Sequence, residues 1–228
     1  MSQRVCVLIP AYNEAARIGL TIAALKARPE IEKIVVSDDG STDATAAIAR
    51  AAGAMLVLTA QNGGKGAALS AAYAAAREMG DLFLLLDADL GASAGEAVKL
   101  LPPLWQNQAD MTIGLLPPDP AFAASGESGG QGFVVRLARQ GIERRTQKAF
   151  QQPLSGQRAM RRSVLDALGG TFAPGFGVEV DLTIRALQAG FRVAEVKTEF
   201  RHKVTGGDWA SLTHRARQFR DVARIVFK

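Results

Sequence analysis

Residues 82–91 read LFLLLDADLG. Leu and Phe in sequence, with no polar residue alternating between them, suit a strand buried on both faces, the situation of a parallel sheet covered by helices on either side. The run ends in Asp87 and Asp89. Ligands of open α/β sheets bind outside the carboxyl ends of the strands, so this pair faces a ligand crevice. Two carboxylates so close repel one another unless a cation or a donor network compensates them. Their most direct use is to hold Mg2+ or Mn2+ together with substrate phosphates. The competing interpretation is a solvated turn in which Asp caps or bends the chain.

The segments on either side supply a sheet of that kind. RVCVLIP (4–10) reads as a strand and EAARIGLTIAALKA (14–27) as a helix with apolar residues at helical spacing. IEKIVVSDDG (31–40) is a second strand ending in its own acidic pair. The helix STDATAAIARAAGA (41–54) follows, with Ser41, Thr42 or Asp43 placed to cap it. MLVLTA (55–60) is a third strand, and GKGAALSAAYAAAREMG (64–80) an alanine-rich helix leading into residues 82–91. Strands alternating with helices of this length predict an α/β, doubly wound, mostly parallel sheet flanked by helices.

Past residue 91 the rhythm changes. AGEAVKLLPPLWQ (94–106) reads as a helix stopped at its prolines and DMTIGLL (110–116) as a short strand. Residues 117–132, rich in Pro, Gly, Ser and Ala, read as a mobile flap over the crevice. A basic helix is expected from about Phe133 to Lys148, another over FGVEVDLTIRALQAG (176–190), a strand over RVAEVKTEFRHK (192–203), and an amphipathic helix from about Asp208. The whole, 1–228, is expected to form one domain, with residues 1–100 binding a nucleotide and 101–228 shaping a second substrate's site.

Composition narrows the classes. Of 228 residues, 48% are hydrophobic, ample for a core, and no run of about 18 apolar residues spans a membrane. The N-terminus enters its first strand without a signal-peptide pattern, so the chain is expected in the cytoplasm, peripheral to the membrane's inner face at most. Cys6, the single cysteine, lies in the apolar run VCVLI and reads as a buried small hydrophobe. Lys and Arg number 27 against 22 Asp and Glu, a net +5, with the cations gathered from Arg136 onward. That suits phosphorylated substrates or an anionic surface. With two Trp, two Tyr and no nucleic-acid signature, nucleic acid is excluded as a partner.

Three strand ends therefore carry chemistry on one edge, PAYNE (10–14), SDDGSTD (37–43) and DADLG (87–91), and NGGKGAA (62–68) adds a glycine-flanked lysine. This ordered set resembles the family 2 glycosyltransferases, which have the GT-A fold. The resemblance is strong to about residue 91 and looser beyond. It implies that Pro10, Ala11, Asn13 and Glu14 line the pocket of a nucleoside diphosphate sugar, Asn13 also suiting a helix cap. Asp39 matches the aspartate that accepts from a base N–H, with Asp38 assisting. A carboxylate suits the imino donor of uracil, or that of guanine, and adenine offers none, so a UDP-sugar comes first and a GDP-sugar next. Lys65 resembles the lysine that approaches ribose or diphosphate, and GGKG lacks the spacing of a P-loop. Asp89 is the implied ligand of Mn2+ or Mg2+, Asp87 contacts ribose or a metal-bound water, and His202 completes the metal site, although a His between two cations is also an ordinary surface residue.

Many inverting members carry a Glu-Asp pair before a stretch like RALQAGF (185–191); here Val178 and Glu179 stand in its place. That arrangement resembles polyprenyl-phosphate glycosyltransferases and glucosyl-3-phosphoglycerate synthases. Glu179 and Asp181 are the candidate catalytic carboxylates. Asp181, two residues on and roughly opposite around a helix, also suits a structural partner or helix N-terminal charge. A phosphorylated acceptor is already anionic, so Glu179 is expected to position it rather than deprotonate it. A polyprenyl phosphate is the first expectation and a small acid such as 3-phosphoglycerate the alternative. Along the C-terminal helix Leu212, Phe219, Val222, Ile225 and Val226 recur near helical spacing beside Arg215, Arg217, Arg220, Arg224 and Lys228. This pattern suits peripheral contact with an anionic membrane, or docking on the domain's own core. The rival classes are a nucleotidylyltransferase, which would carry a glycine-rich basic loop where PAYNEAARIG stands, and a non-catalytic nucleotide-sugar-binding module.

Overall fold

A computed structural model describes residues 3–117, 130–201 and 220–226. Strands β1 (Val5–Ala11), β2 (Lys33–Asp38), β3 (Met55–Leu58) and β4 (Leu82–Leu85) alternate with helices α1 (Ile18–Lys26), α2 (Thr45–Ala51) and α3 (Lys65–Ala76). Then come a 3-10 segment over Gly91–Leu100, the short α4 (Pro102–Trp105), β5 (Met111–Leu115), α5 (Gly130–Thr146), β6 (Arg158–Arg161), α6 (Arg162–Ala167), α7 (Val178–Gln188) and β7 (Val193–Lys197). The seven strands form one sheet in the order β3-β2-β1-β4-β6-β5-β7. β1 pairs in parallel with β2 and β4, and β5 with β7; β6 runs antiparallel to both β4 and β5.

Leu82 to Leu85 are all buried, as the unbroken apolar run required. Successive side chains point to opposite faces of a strand, and the core divides accordingly. Val7, Ile9, Val36 and Leu84 pack with Ile18, Ile22 and Leu25 of α1 and with the 3-10 segment on one face. Cys6, Leu8, Val35, Phe83 and Leu85 meet Leu69, Ala72 and Tyr73 of α3 and Val164 of α6 on the other. Burial pushes the Cys6 thiol up to about 12, so it behaves as the small hydrophobe expected of it. A third cluster joins Val134, Ala138 and Ile142 of α5, Ile184 of α7 and Val222.

Two local readings change. Pro102 and Pro103 occupy the first turn of α4 rather than stopping a helix, where a missing N–H leaves no hydrogen bond unmade; the preceding turns are 3-10. Strand β6 was not expected at all: it has four residues, and arginines at 158 and 161 hide its apolar character. Of the expected flap at 117–132, residues 118–129 lie outside the described residues, and α5 already begins at Gly130. His202, Leu212, Arg215, Arg217, Phe219 and Lys228 also lie outside them. Residues 220–226 are helical, and Val222 is fully buried against the domain's own core. Among the described residues no helix is long and apolar enough to cross a membrane.

Candidate active site

Because β1, β2 and β4 run in parallel, their carboxyl ends share one edge, which brings together PAYNE, SDDGSTD and DADLG. The first two are joined by side-chain bonds to backbone. The Asn13 amide donates to Ser41 Oγ (2.9 Å) and Asn13 Oδ1 accepts from the Thr42 amide (2.9 Å). The Glu14 amide donates to Thr45 Oγ1 (2.8 Å), and the Ala15 amide to Asp43 Oδ2 (3.2 Å). Asp43 also accepts from the Thr45 amide (2.9 Å), but the N-cap of α2 is Ala44, without a side-chain cap, rather than Ser41, Thr42 or Asp43 as expected. The Thr45 hydroxyl holds the Asp43 carboxyl below the usual carboxylate range. Asn13 takes a positive φ of 55°, a conformation Asn tolerates better than most, and the Glu14 carbonyl accepts from the Arg17 and Ile18 amides where α1 begins.

Asp38 and Asp39 are both buried. Asp39 Oδ1 and Oδ2 accept from the Gly63 (2.9 Å) and Gly64 (2.7 Å) amides, and the Thr59 hydroxyl adds a third donor at 3.2 Å. Asp38 Oδ1 accepts from the Ser41 amide (2.8 Å). Gly40 sits at φ 75° between them, where a Cβ would press on the backbone of Gln61 and Asn62 at 3.2 Å, so only glycine fits.

β4 stops at Leu85, and Asp87 emerges into a set of donors. Lys65, the first residue of α3, places Nζ 2.7 Å from Asp87 Oδ1 and 2.7 Å from Glu179 Oε1. The side chain of Glu179 is only 10% exposed. Burial alone would lower the Lys65 pKa, yet the Asp87 charge and then that of Glu179 outweigh it and raise the ammonium above its ordinary value. Lys65 therefore stays charged at neutral pH and ties the carboxyl edge of the sheet to α7. Gln157, fully buried, clamps Asp87 from the other side: Nε2 donates to Oδ2 (2.6 Å) and Oε1 accepts from the Asp87 amide (3.1 Å). Beneath the turn, the buried Thr21 hydroxyl donates to the Ala88 carbonyl and accepts from the Gly91 amide, both at 2.8 Å. Gly156 packs its bare Cα on the pair; a Cβ there would stand 2.6 Å from Lys65 Nζ and 2.8 Å from Asp87 Oδ2.

Arg158, 1% exposed, secures this wall. Its guanidinium donates to the Ser155 carbonyl (2.9 Å), the Pro153 carbonyl (3.0 Å) and Thr183 Oγ1 (2.8 Å), and Thr183 Oγ1 donates in turn to the Glu179 carbonyl (2.8 Å). Burial pushes Arg158 down to about 10, with the Glu179 and Glu195 charges opposing the shift. The loop carrying Gly156 and Gln157 is thus fastened to the helix that carries Glu179. Asp181 lies away from this cluster and pairs with Arg185 at 3.3 Å, the structural partnership its spacing allowed.

Asp89 follows Asp87 on the same turn. The carboxylate oxygens of this turn are the hard donors that Mg2+ and Mn2+ select, so the residue types fit a divalent cation. Among the described residues no group of three or more His, Cys, Asp or Glu converges on one point. A cation there needs further oxygens, from substrate phosphates or water. Arg201, the last of the described residues 130–201, donates its amide to Ser93 Oγ at 3.0 Å.

The profile of Glycosyl transferase family 2 matches residues 6–169. The chain belongs to that family. This family 2 chain is 33% identical over 214 residues to the glycosyltransferase AglJ of Haloferax volcanii, covering 90% of this chain and 65% of AglJ. It is 30% identical over 205 residues to glucosyl-3-phosphoglycerate synthase of Mycobacterium tuberculosis, covering 79% of this chain and 60% of the synthase. The chain thus spans less than two thirds of the length of these curated relatives. The crystal structure of that mycobacterial synthase with Mn2+, uridine diphosphate and phosphoglyceric acid superposes with a TM-score of 0.78 at 27% identity, over 98% of this chain and 78% of that one. The same synthase has been crystallised with Mg2+ and uridine diphosphate. The architecture of this family 2 chain is accordingly the GT-A fold. The profile ends at residue 169, before α7, so it does not reach Glu179.

Gln157, Gly156, Thr21 and Arg158 escaped the sequence reading. Three of them sit in a stretch read only as basic, and Thr21 looks like any helix residue. The signal available was Gly156 in the small-polar triplet SGQ, next to the buried Arg158 and the apolar pair Ala159–Met160, a sign of a close backbone approach.

Proposed function

We propose that this chain is a metal-dependent glycosyltransferase that moves a sugar from a nucleoside diphosphate sugar, a UDP-sugar first and a GDP-sugar second, to a phosphorylated acceptor. The observation that carries this reading is the Lys65 bridge between Asp87 and Glu179, which joins the nucleotide edge to the helix of the second half. Residues 1–100 bind the donor and residues 101–228 shape the acceptor site. The base lies over the Pro10–Glu14 turn. Asp39, which also holds the Gly63–Gly64 turn that starts α3, receives the imino N–H, and Asp38, whose Oδ2 has no hydrogen bond among the described residues, assists.

Lys65 turns toward the diphosphate once a donor enters, because that anion competes for an ammonium already poised between two carboxylates. Asp89, with His202 on the segment that follows Arg201, would hold Mn2+ or Mg2+. The cation, when bound, offsets charge on the departing nucleoside diphosphate. The acceptor oxygen bonds to the anomeric carbon as the bond from that carbon to the diphosphate breaks. A phosphate acceptor is anionic at neutral pH and needs no strong base, so Glu179, released from Lys65, orients it.

Of the two acceptor classes, a small phosphorylated acid is the better supported. A mycobacterial relative is crystallised with phosphoglyceric acid, and the described end of the C-terminal helix packs on its own domain. The test is calorimetric titration of UDP into the full chain with Mn2+ and then with EDTA, repeated on Asp89→Ala. Affinity should fall about tenfold or more, about 1.4 kcal/mol, on chelation or substitution. Equal affinity under all conditions would overturn the metal-dependent reading.

A further inference from the structure

A cavity of about 620 Å3 opens on the far side of α7 from Glu179, within the size range of small-ligand sites. We propose that it is a second ligand site, built for a phosphate monoester with a compact apolar body and separate from the donor edge. Its walls come from four places: α5, the loop at residues 173–175, α7 and the helix over 220–226.

Charge is the first argument. Arg145, Arg185, Arg220 and Arg224 line the cavity with only two carboxylates, Asp181 and Asp221. Arg185 is taken up by Asp181 at 3.3 Å and by the Leu168 carbonyl, and Arg220 lies 3.5 Å from Asp221. Arg145 gives one N–H to the Ile225 carbonyl at 2.8 Å, leaving most of its five donors unused. Arg224 is exposed and makes no hydrogen bond or ion pair among the described residues. Two guanidinium groups are therefore in excess at one concavity, and their planar forks match phosphate oxygens in pairs.

Shape is the second. Pro174, Ile184 and Ile225 supply apolar surface to the same cavity, so the ligand carries carbon as well as charge. Position is the third. Glu179 and Asp181 point about 200° apart around α7, the one to Lys65 and the other to the cavity. An occupant here cannot reach the Asp87–Lys65 pair. It would, however, press on the 173–175 loop, whose Ala173 carbonyl packs so closely on Gly66 that no Cβ fits, one residue beyond Lys65.

The experiment titrates the full chain in EDTA, calorimetrically and at low salt, with inorganic phosphate, glycerol 3-phosphate and dihexanoyl phosphatidic acid below its micelle concentration. One molecule should bind per chain. Arg224→Glu should weaken it about tenfold or more, the scale of a lost charge-assisted hydrogen bond, and leave UDP–Mn2+ affinity unchanged. Saturating UDP with Mn2+ should leave the binding intact. Binding of the two water-soluble phosphates assigns the site to free phosphate esters, and binding of phosphatidic acid alone assigns it to a lipid headgroup. The proposal is overturned if none of the three binds at millimolar concentration, if Arg224→Glu and Arg220→Glu both bind as tightly as the parent, or if UDP–Mn2+ displaces the probe.

Discussion

Replacing Lys65 by Met would remove the one cation that two carboxylates share, Asp87 and Glu179, each 2.7 Å from its Nζ. Breaking a buried pair from one side costs about 3–5 kcal/mol, because a charge stays buried without its partner. Here the side chains of Lys65 and Asp87 are 31% and 27% exposed, so water screens part of the loss and about 2–3 kcal/mol is the better figure. For a chain of this size that corresponds to about 4–12 °C in Tm. Glu179→Gln, which leaves the Lys65–Asp87 bond in place, should cost about 1 kcal/mol. The double variant should be less damaged than the sum of the two, by about 1 kcal/mol or more, since Lys65→Met strands the Glu179 charge that Glu179→Gln removes. Urea unfolding at pH 7 reads all three, and an unchanged m value confirms that stability alone has moved. The pKa of Lys65 is raised in the folded chain, so its contribution is fully present below the ordinary value of 10.5 and fades as pH climbs through the folded value. Additive costs within about 0.5 kcal/mol would refute the shared-cation reading.

Gly156→Ala should leave the fold intact, since glycine at 156 has no positive φ to satisfy, yet displace the Lys65–Asp87 pair and lower turnover about a hundredfold, the usual penalty for a shift of about 1 Å at a reacting centre; wild-type turnover would remove Gly156 from the site. Gln157→Leu strips two hydrogen bonds from Asp87 and should cost about 1–3 kcal/mol in stability with a loss of turnover about as large as that of Gly156→Ala, and unaltered kinetics would show that Thr21 and Lys65 suffice to hold the turn. The carboxyls of Asp81, Asp110 and Asp166 are held below their ordinary 3.8, chiefly by hydrogen bonds from Arg4, Arg192 and Arg77. Their stabilisation is present above that value and lost as pH falls through the folded values, so Tm should stay level from neutral to about pH 5 and drop below about pH 4; a Tm that is flat to about pH 3 would contradict it.

The sheet was legible because burial writes itself into sequence. A strand covered on both faces needs an unbroken apolar run, and Val5–Ala11, Leu82–Leu85 and, within β2, Ile34–Val36 show one. The carboxylates were legible because parallel strands put their carboxyl ends on one edge, so three motifs scattered over about 80 residues had to meet there. What holds them was not. Gln157 reaches Asp87 across 70 residues of chain, through a strand whose four residues RAMR carry no apolar periodicity. Arg158 is buried, a place where arginine is rarely found, because three carbonyl or hydroxyl oxygens converge on it. Such positions are set by long-range geometry, and no local pattern announces them.

The same geometry explains why the first half of the chain can be read so much further than the second. In the first half each acidic motif is delivered by its own strand end, and strand ends are fixed by the core. In the second half Glu179 is delivered by a helix, and a helix can turn about its axis without changing its sequence pattern. Its rotation is fixed here by Arg158 through Thr183, which lies one turn from Glu179, and by Lys65 at the other end of the contact. Both are polar contacts to partners distant in sequence. The setting of Glu179 is therefore specified by which side of α7 faces the sheet edge, with Glu179 on that side and Asp181, Ile184 and Arg185 on the other. Exchanging Thr183 for Val keeps volume and removes the hydroxyl that relays Arg158 to the Glu179 carbonyl. If α7 owes its rotation to that relay, the change should lower acceptor turnover while UDP affinity holds, whereas equal loss of both would mean that the helix is set by its apolar packing alone.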